Sequence, residues 1–279
     1  MRVGLVVARK VRGAIEIARD ISNKLLKEKN EVYIYPPTHH ISADVKRVNR
    51  IEDLNVDIAV SIGGDGTVLR TFLYLPNKDT PVLSIGLGER NFLSTVDKEG
   101  YKRAIEKLLR NEYEIREEMR LDVRIENFQG VLPPVLNEVV FASRITGKTC
   151  DVHLGIIEEG ETKLLWHSKA DGIIIATPLG STAYAYSAGG PVIDSDLSGI
   201  LVVPILPVMR KPVIVVKPDR ILAVWASSMR SPPLLILDGQ IRLEVDYEQK
   251  VYVKRSKYNA KFIITDKYSS ITRLIKASR

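Results

Sequence analysis

The segment richest in potential chemistry is Ile62-Gly63-Gly64-Asp65-Gly66-Thr67. A nearly all-apolar run, Val56 to Ile62, ends in three glycines within four positions, and a helical pattern follows from Thr67 towards Tyr74. Glycine lets the backbone turn sharply and lets a ligand approach the main chain. The first N–H groups of the next helix lack helical partners, and the helix dipole favours an anion beside them. Such a bend suits phosphate. Asp65 is out of keeping, because a carboxylate repels phosphate unless it has a task. Two tasks fit: general base for a hydroxyl nucleophile, or partner to a magnesium ion. A bland reading competes, since Asp is also a favoured N-cap residue. A cap explains one residue and leaves the glycines unexplained. The bend carries neither the G-x-G-x-x-G dinucleotide fingerprint nor the Gly-Lys-Ser/Thr of a Walker A loop.

The elements that must position this bend alternate in period. Val3 to Val7 reads as a buried strand, and Ala14, Ile17, Ala18, Ile21, Leu25 and Leu26 recur at helical spacing. Glu31 to Tyr35, Val56 to Ile62 and Pro81 to Ile85 read as further strands. Apolar strands alternating with helices imply a parallel sheet covered on both faces. The character changes near Val96. A charged helix (Lys98 to Arg110) precedes short strand-like runs at Leu121–Ile125, Leu136–Ala142, Ile173–Ala176, Val213–Val216, Ile221–Trp225, Leu234–Leu237 and Val251–Val253. Turn residues separate them, as in an antiparallel sandwich. The expected division is an α/β domain over 1–95 that carries the catalytic turn and the phosphoryl donor, and a β-rich, sandwich-like domain over 96–255. The tail, 256–279, has Ile271, Leu274 and Ile275 at helical spacing and is expected to dock back on the first domain as a helix.

Composition narrows the class. Cys150 is the one cysteine, so neither an intrachain disulfide nor a cysteine-rich zinc site can form. His39, His40, His153 and His167 lack metal-ligand spacing, so no protein-built metal site is expected. The formal net charge of +7 favours anionic ligands. The cations are scattered without interleaved aromatics, which argues against a nucleic-acid partner. The start has too short an apolar run for a signal peptide. The longest apolar run, Ile200 to Met209, is broken by Pro204 and Pro207, well short of the roughly 20 residues of a membrane helix. A soluble, cytoplasmic protein with no membrane partner is expected.

Four segments carry a resemblance. Gly63-Gly64-Asp65-Gly66-Thr67 resembles the signature shared by NAD kinases and the diacylglycerol and sphingosine type of lipid kinase. Leu136-Asn137-Glu138-Val139-Val140 resembles the Asn-Glu strand of NAD kinases. Asp171-Gly172-Ile173-Ile174-Ile175-Ala176-Thr177-Pro178-Leu179-Gly180-Ser181-Thr182-Ala183-Tyr184, continuing into Ser187-Ala188-Gly189-Gly190-Pro191, follows that family's hallmark. Asp238-Gly239-Gln240 resembles its last turn. These occur in the family's order over about residues 57 to 240, and the chain is identified as a member of the NAD kinase family.

The resemblance implies phosphorylation of the 2′-hydroxyl of NAD's adenosine ribose to give NADP, with Asp65 as general base. Gly63, Gly64 and Gly66 would hold phosphates, Arg70 would reach an anion, and Phe92 would join the nucleotide site. Asn137 would bond the adenine edge, its amide being both donor and acceptor, and Glu138 would take ribose hydroxyls. Thr182, Ala183, Tyr184 and Ser187 would line the nucleotide pocket. Asp171 would contact the dinucleotide, with Lys148, Lys169 and Gln240 at weaker ligand positions. The active site would be a cleft between the two domains. ATP or polyphosphate would be the donor, magnesium would arrive mainly on donor phosphates, and the chain would form a homodimer or homotetramer. Three stretches depart from the family pattern. Gly86 to Leu93 has glycine and Asn91 exchanged against the usual Asn-x-Gly…Gly-Phe-Leu, Leu179 stands where a polar residue is common, and Pro207-Val208-Met209-Arg210 lacks the usual polar residues. A lipid kinase and a non-catalytic dinucleotide sensor are the rival readings.

Overall fold

Apolar runs without alternation become strands buried on both faces. In the computed structural model, which describes residues 1–88, 91–227 and 232–266, β1 (Arg2–Val7) is buried at every position after Arg2. Helix α1 (Ala14–Lys27) follows and buries Ala14, Ile17, Ala18, Ile21 and Leu25, the stripe that helical spacing demands. Next come β2 (Glu31–Tyr35), β3 (Lys46–Arg47), β4 (Ile58–Gly63), α2 (Asp65–Tyr74), β5 (Val82–Gly86), α3 (Tyr101–Leu109) and β6 (Glu114–Glu118). The β-rich stretch contains β7 (Leu121–Ile125), β8 (Glu138–Ser143), β9 (Cys150–Glu158), β10 (Glu161–Ala170), β11 (Gly172–Ala176), the short helix α4 (Tyr184–Ser187), β12 (Ile200–Ile205), β13 (Ile214–Val216), β14 (Leu222–Ala226), β15 (Pro233–Leu237), β16 (Ile241–Glu244) and β17 (Val251–Arg255). The last described strand is β18 (Ala260–Ile264).

Two compact units result: Met1–Glu118 with the described chain from Asn259 onward, and Met119–Tyr258. The first has a seven-stranded sheet of order β3-β2-β1-β4-β5-β18-β6. It is parallel from β3 through β18, and β6 is antiparallel to β18. The chain proceeds from β1 outward to β2 and β3, then to β4 on the other side, so the strand order reverses at β1/β4. In open α/β sheets ligands bind at the carboxyl ends of strands beside such a reversal. The glycine bend leaves the carboxyl end of β4.

This first unit extends past the expected 95/96 boundary for two reasons. Ala104, Ile105 and Leu108 of α3 join the core made by β1, β4 and β5, and β6 pairs with β18 over five residue pairs. The returning chain therefore enters the sheet as a strand. The helix expected over Tyr268–Arg279 lies outside the described residues. No described helix is long and apolar enough to cross a membrane.

The second unit packs a five-stranded sheet, β10-β9-β14-β17-β7, against a six-stranded one, β13-β12-β11-β8-β15-β16. One core lies between them, built from Val139, Phe141, Val152, Leu154, Ile173, Ile175, Val224 and Val253 among others. Val140, Ile174, Leu201 and Val203 face the other way and pack with Ala185 of α4. The middle strands are thus covered on both sides, which is why their sequences are continuously apolar. Strand β13 pairs β12 only as far as Val202, so Pro204 stands beyond that pairing, where a missing N–H costs little.

Candidate active site

In the first unit, Gly63 closes β4 and Asp65 opens α2. A methyl group on Gly63 would lie 2.5 Å from Thr67 Oγ1 and 2.7 Å from Ala8 Cβ. Only glycine lets the end of β4 pass this close to the end of β1 and to its own helix. On Gly64 or Gly66 the same methyl would meet no atom within 4 Å, so the bend's far side is open to a ligand. The N-cap position belongs to Gly64, and no side chain caps the helix. The capping reading of Asp65 therefore fails. Its carboxylate instead accepts the amides of Phe92 at 3.0 Å and Leu93 at 2.9 Å. The bend and the 91–94 turn are tied together through one half-buried side chain. Asn91 ties its own turn by bonding the main chain of Gly88. Arg70 lies one turn along α2 with its Nε buried and without a hydrogen-bond partner, a donor suited to an anion.

In the second unit, Asn137 and Glu138 are 6% and 7% exposed, yet Asn137 Oδ1 and Glu138 Oε2 have no hydrogen-bond partner. Buried polar atoms are nearly always satisfied, so two adjacent open acceptors point to a ligand. The segment is held by the turn after β11. The amide and hydroxyl of Thr177 donate to Asn137 O at 2.9 Å and Leu136 O at 2.7 Å, and the Gly180 amide donates to Thr177 Oγ1 at 3.0 Å. A methyl on Gly180 would lie 2.1 Å from Asn137 O, so glycine is obligatory there. The Glu138 carboxyl is pushed up to about 8 by burial and by the neighbouring Asp238 charge, opposed by a hydrogen bond from the Tyr184 amide. Near neutral pH it is therefore mostly protonated and can donate as well as accept.

The remaining expected residues fall into two groups. Thr182, Ala183, Tyr184 and Ser187 follow the Thr177–Gly180 turn directly, with Tyr184 and Ser187 exposed. They belong with Asn137 and Glu138, because Glu138 pairs with Ala176. Asp171, Lys169 and Lys148 do not. Gly172 pairs with Ala142 and Asp171 O accepts the Ser143 amide, which puts Asp171 at the opposite end of the β8–β11 ladder, roughly 17 Å from Glu138 at strand rise. Lys148 sits exposed in the β8–β9 loop and Lys169 exposed near the end of β10. Gln240 is exposed at the β15–β16 turn; its neighbour Asp238, not Gln240, reaches the Asn137 segment. Thr177, Gly180, Asp238 and Arg120 were not among the expected site residues. The first three lie inside segments already notable in the sequence. Nothing local distinguishes Arg120.

Among the described residues no three His, Cys, Asp or Glu side chains are grouped to hold a metal ion. A single carboxylate beside an open phosphate cradle still fits magnesium, which takes much of its coordination from substrate phosphates and water.

A carboxylate beside a glycine bend that leaves room for phosphate is the equipment of a phosphotransferase with a hydroxyl acceptor. Comparison with known proteins narrows this class. Residues 3–113 match the ATP-NAD kinase N-terminal domain and residues 136–265 match the ATP-NAD kinase C-terminal domain. The chain is 34% identical over 266 residues to the NAD kinase of Methanothermobacter thermautotrophicus, covering 94% of this chain and 91% of that one. It is also 34% identical over 265 residues to the NAD kinase of Pyrococcus abyssi, covering 94% of each. Among solved structures it is similar to an NAD kinase from Archaeoglobus fulgidus in complex with ATP, with TM-score 0.79, 26% identity, and coverage of 100% of this chain and 99% of that one. The fold is shared with a yeast NADH kinase complexed with NADH, at TM-score 0.85 and 20% identity over 99% of this chain and 86% of that one. The chain belongs to the ATP-NAD kinase family.

Proposed function

We propose that this protein transfers the γ-phosphoryl group of ATP to the 2′-hydroxyl of NAD's adenosine ribose, forming NADP and ADP. The observation that carries the reading is Asp65, whose two oxygens are oriented by the Phe92 and Leu93 amides beside glycines open to a ligand. A carboxylate accepts several hydrogen bonds at once, so orientation by these amides is compatible with the role of base. Asp65 accepts the hydroxyl proton as the ribose oxygen attacks phosphorus. Gly63, Gly64 and Gly66 let phosphate oxygens approach main-chain N–H groups, and Arg70 adds positive charge. Asn137 Oδ1 accepts from the exocyclic amine of adenine, and Glu138 binds the ribose edge. Tyr184 offers a ring face to the nucleotide. Asp171, Lys148, Lys169 and Gln240 remain more distant candidates for the dinucleotide. Magnesium, when bound mainly through the donor phosphates, would neutralise charge on the transferred group.

ATP is favoured as donor because the Archaeoglobus fulgidus relative is complexed with it. A homodimer or homotetramer is part of the same reading. Support for it comes from Leu206, Val208 and Met209, exposed at 74%, 70% and 68%, since exposed apolar clusters mark interfaces. Light scattering behind a sizing column tests that part.

The activity is tested by offering ATP or polyphosphate with NAD, NADH or diacylglycerol, with and without magnesium. NADP formed from NAD and ATP, dependent on magnesium, is the expected result. Phosphorylation of the lipid instead, or tight NAD binding without any NADP, overturns the reading.

A further inference from the structure

Asp238 stands at the start of the β15–β16 turn with a φ of 47°, a conformation few residues adopt other than glycine, asparagine and aspartate. It is 2% exposed, and its carboxylate is spent on a distant segment. Oδ2 accepts the Leu136 amide at 2.8 Å. Oδ1 accepts the Asn137 amide at 2.7 Å and the Glu138 amide at 3.1 Å. The Asp238 amide in turn donates to Glu138 O at 3.0 Å. Three successive amides are thus gathered by one side chain, about 100 residues away in sequence. The gathering leaves the Asn137 and Glu138 side chains buried with an open acceptor each.

A buried carboxylate needs compensation. Burial raises the Asp238 carboxyl to about 6, and the three amides together with the charge of Arg120 oppose that rise. Arg120 is fully buried and grips the same segment two residues upstream of Leu136, donating Nη2 to Pro134 O at 2.5 Å. The two charged residues therefore hold the main chain of Pro134 to Glu138 at both ends. Neither presents its charge to solvent.

We infer that Asp238 and Arg120 are positioning residues for the dinucleotide: together they fix the backbone from Pro134 to Glu138 so that the Asn137 amide and the Glu138 carboxyl point at the adenosine. The inference rests on the proposed reaction and adds to it the residues that aim its acceptor-binding groups. A fold anchor alone does not account for the pair of buried open acceptors, Asn137 Oδ1 and Glu138 Oε2, beyond the anchored main chain. Side chains aimed by such a support contribute to binding the substrate, and equally to its transition state, so their misdirection changes KM more than kcat.

The experiment measures KM for NAD, KM for ATP, kcat and the melting temperature of the full chain and of Asp238→Asn. The amide keeps the shape of the carboxylate but turns one acceptor into a donor facing an N–H group. Expected is a rise of about tenfold or more in KM for NAD, with KM for ATP unchanged and kcat within about threefold. Should Asp238→Asn fail to fold, Arg120→Lys serves the same purpose, keeping the charge while losing the planar fork at Pro134. Its expected effect is a smaller rise in KM for NAD at unchanged kcat. A lower melting temperature with KM for NAD unchanged means a purely structural role and overturns the inference. Wild-type protein that forms no NADP overturns the proposed reaction and this inference with it, whereas active wild type and unchanged KM in the variants overturn this inference alone.

Discussion

The Leu93 amide meets Asp65 Oδ1 at 2.9 Å, and the Phe92 amide meets Oδ2 at 3.0 Å. A capping aspartate would bend back to the amides of its own helix. Asp65 does not, because Gly64 holds the cap position and the carboxylate projects to a neighbouring turn. On the proposed reading the same pair of bonds ties that turn to the general base. Any change at Phe92 or Leu93 that shifts the main chain would move the base.

Asp65→Asn keeps the shape of the side chain, turns one of the two acceptors facing the Phe92 and Leu93 amides into a donor, and removes the proton acceptor. NAD binding, measured by calorimetry, should stay within a few-fold, while kcat falls by about two to four orders of magnitude. Near-wild-type turnover in this variant would take Asp65 out of the mechanism.

Gly180→Ala tests the contact at the nucleotide wall. The added methyl would lie 2.1 Å from Asn137 O, so main chain must move at Asn137, the residue proposed to read the adenine edge. KM for NAD should rise about tenfold or more, and stability should fall by about 1–3 kcal/mol, the usual cost of overpacking. Steady-state kinetics and a denaturant melt read the two effects. Wild-type values for both would mean the turn relaxes without touching Asn137.

The Glu138 carboxyl lies at about 8 in the folded protein against 4.5 in its ordinary state, raised by burial and then by the Asp238 charge. Between those values the folded chain keeps a proton that the unfolded chain releases, so raising pH favours unfolding. This contribution to stability is complete below about 4.5 and lost by about 8. Melting temperatures of the ligand-free protein should therefore decline from pH 5 to pH 8. Glu138→Gln should flatten the profile above about pH 6, where Asp238 has also lost its proton. Parallel profiles for the two proteins would exclude Glu138 as the source.

Phe72 lies on the buried face of α2, 2% exposed, with its ring 4.8 Å from that of Phe262 on β18. It anchors the helix that begins with Asp65 to the strand that returns late in the chain. Phe72→Ala should lower stability by about 3–5 kcal/mol, read by urea unfolding. A loss below about 1 kcal/mol would mean that neighbours refill the cavity.

Local pattern determined a good deal on its own. The run from Val56 through Gly63 could only be a buried strand ending in a bend, since few other arrangements suit an apolar run followed by three glycines. Alternation of strand and helix up to Ile85 already implied the parallel sheet, and the Asp171–Tyr184 stretch carried the family resemblance. What escaped were relationships between distant residues of unremarkable type. Strand β6 reads as a charged stretch, Glu114-Ile115-Arg116-Glu117-Glu118, and becomes a strand only because β18 supplies a partner more than 140 residues later. The long β9–β10 hairpin was hidden in the same way, its outward Lys163, Leu164 and Lys169 breaking any clean alternation.

Within the candidate site the division is similar. Asp65, Asn137, Glu138 and Tyr184 announce themselves by residue type in short motifs. That Asp65 serves no cap, that Asp238 rather than Gln240 reaches Asn137, and that Asp171 lies at the far end of the ladder from Glu138 were decided by strand register and turn geometry. Register depends on which strands meet, and strands meet through burial summed over the whole sheet, which no short window of residues contains.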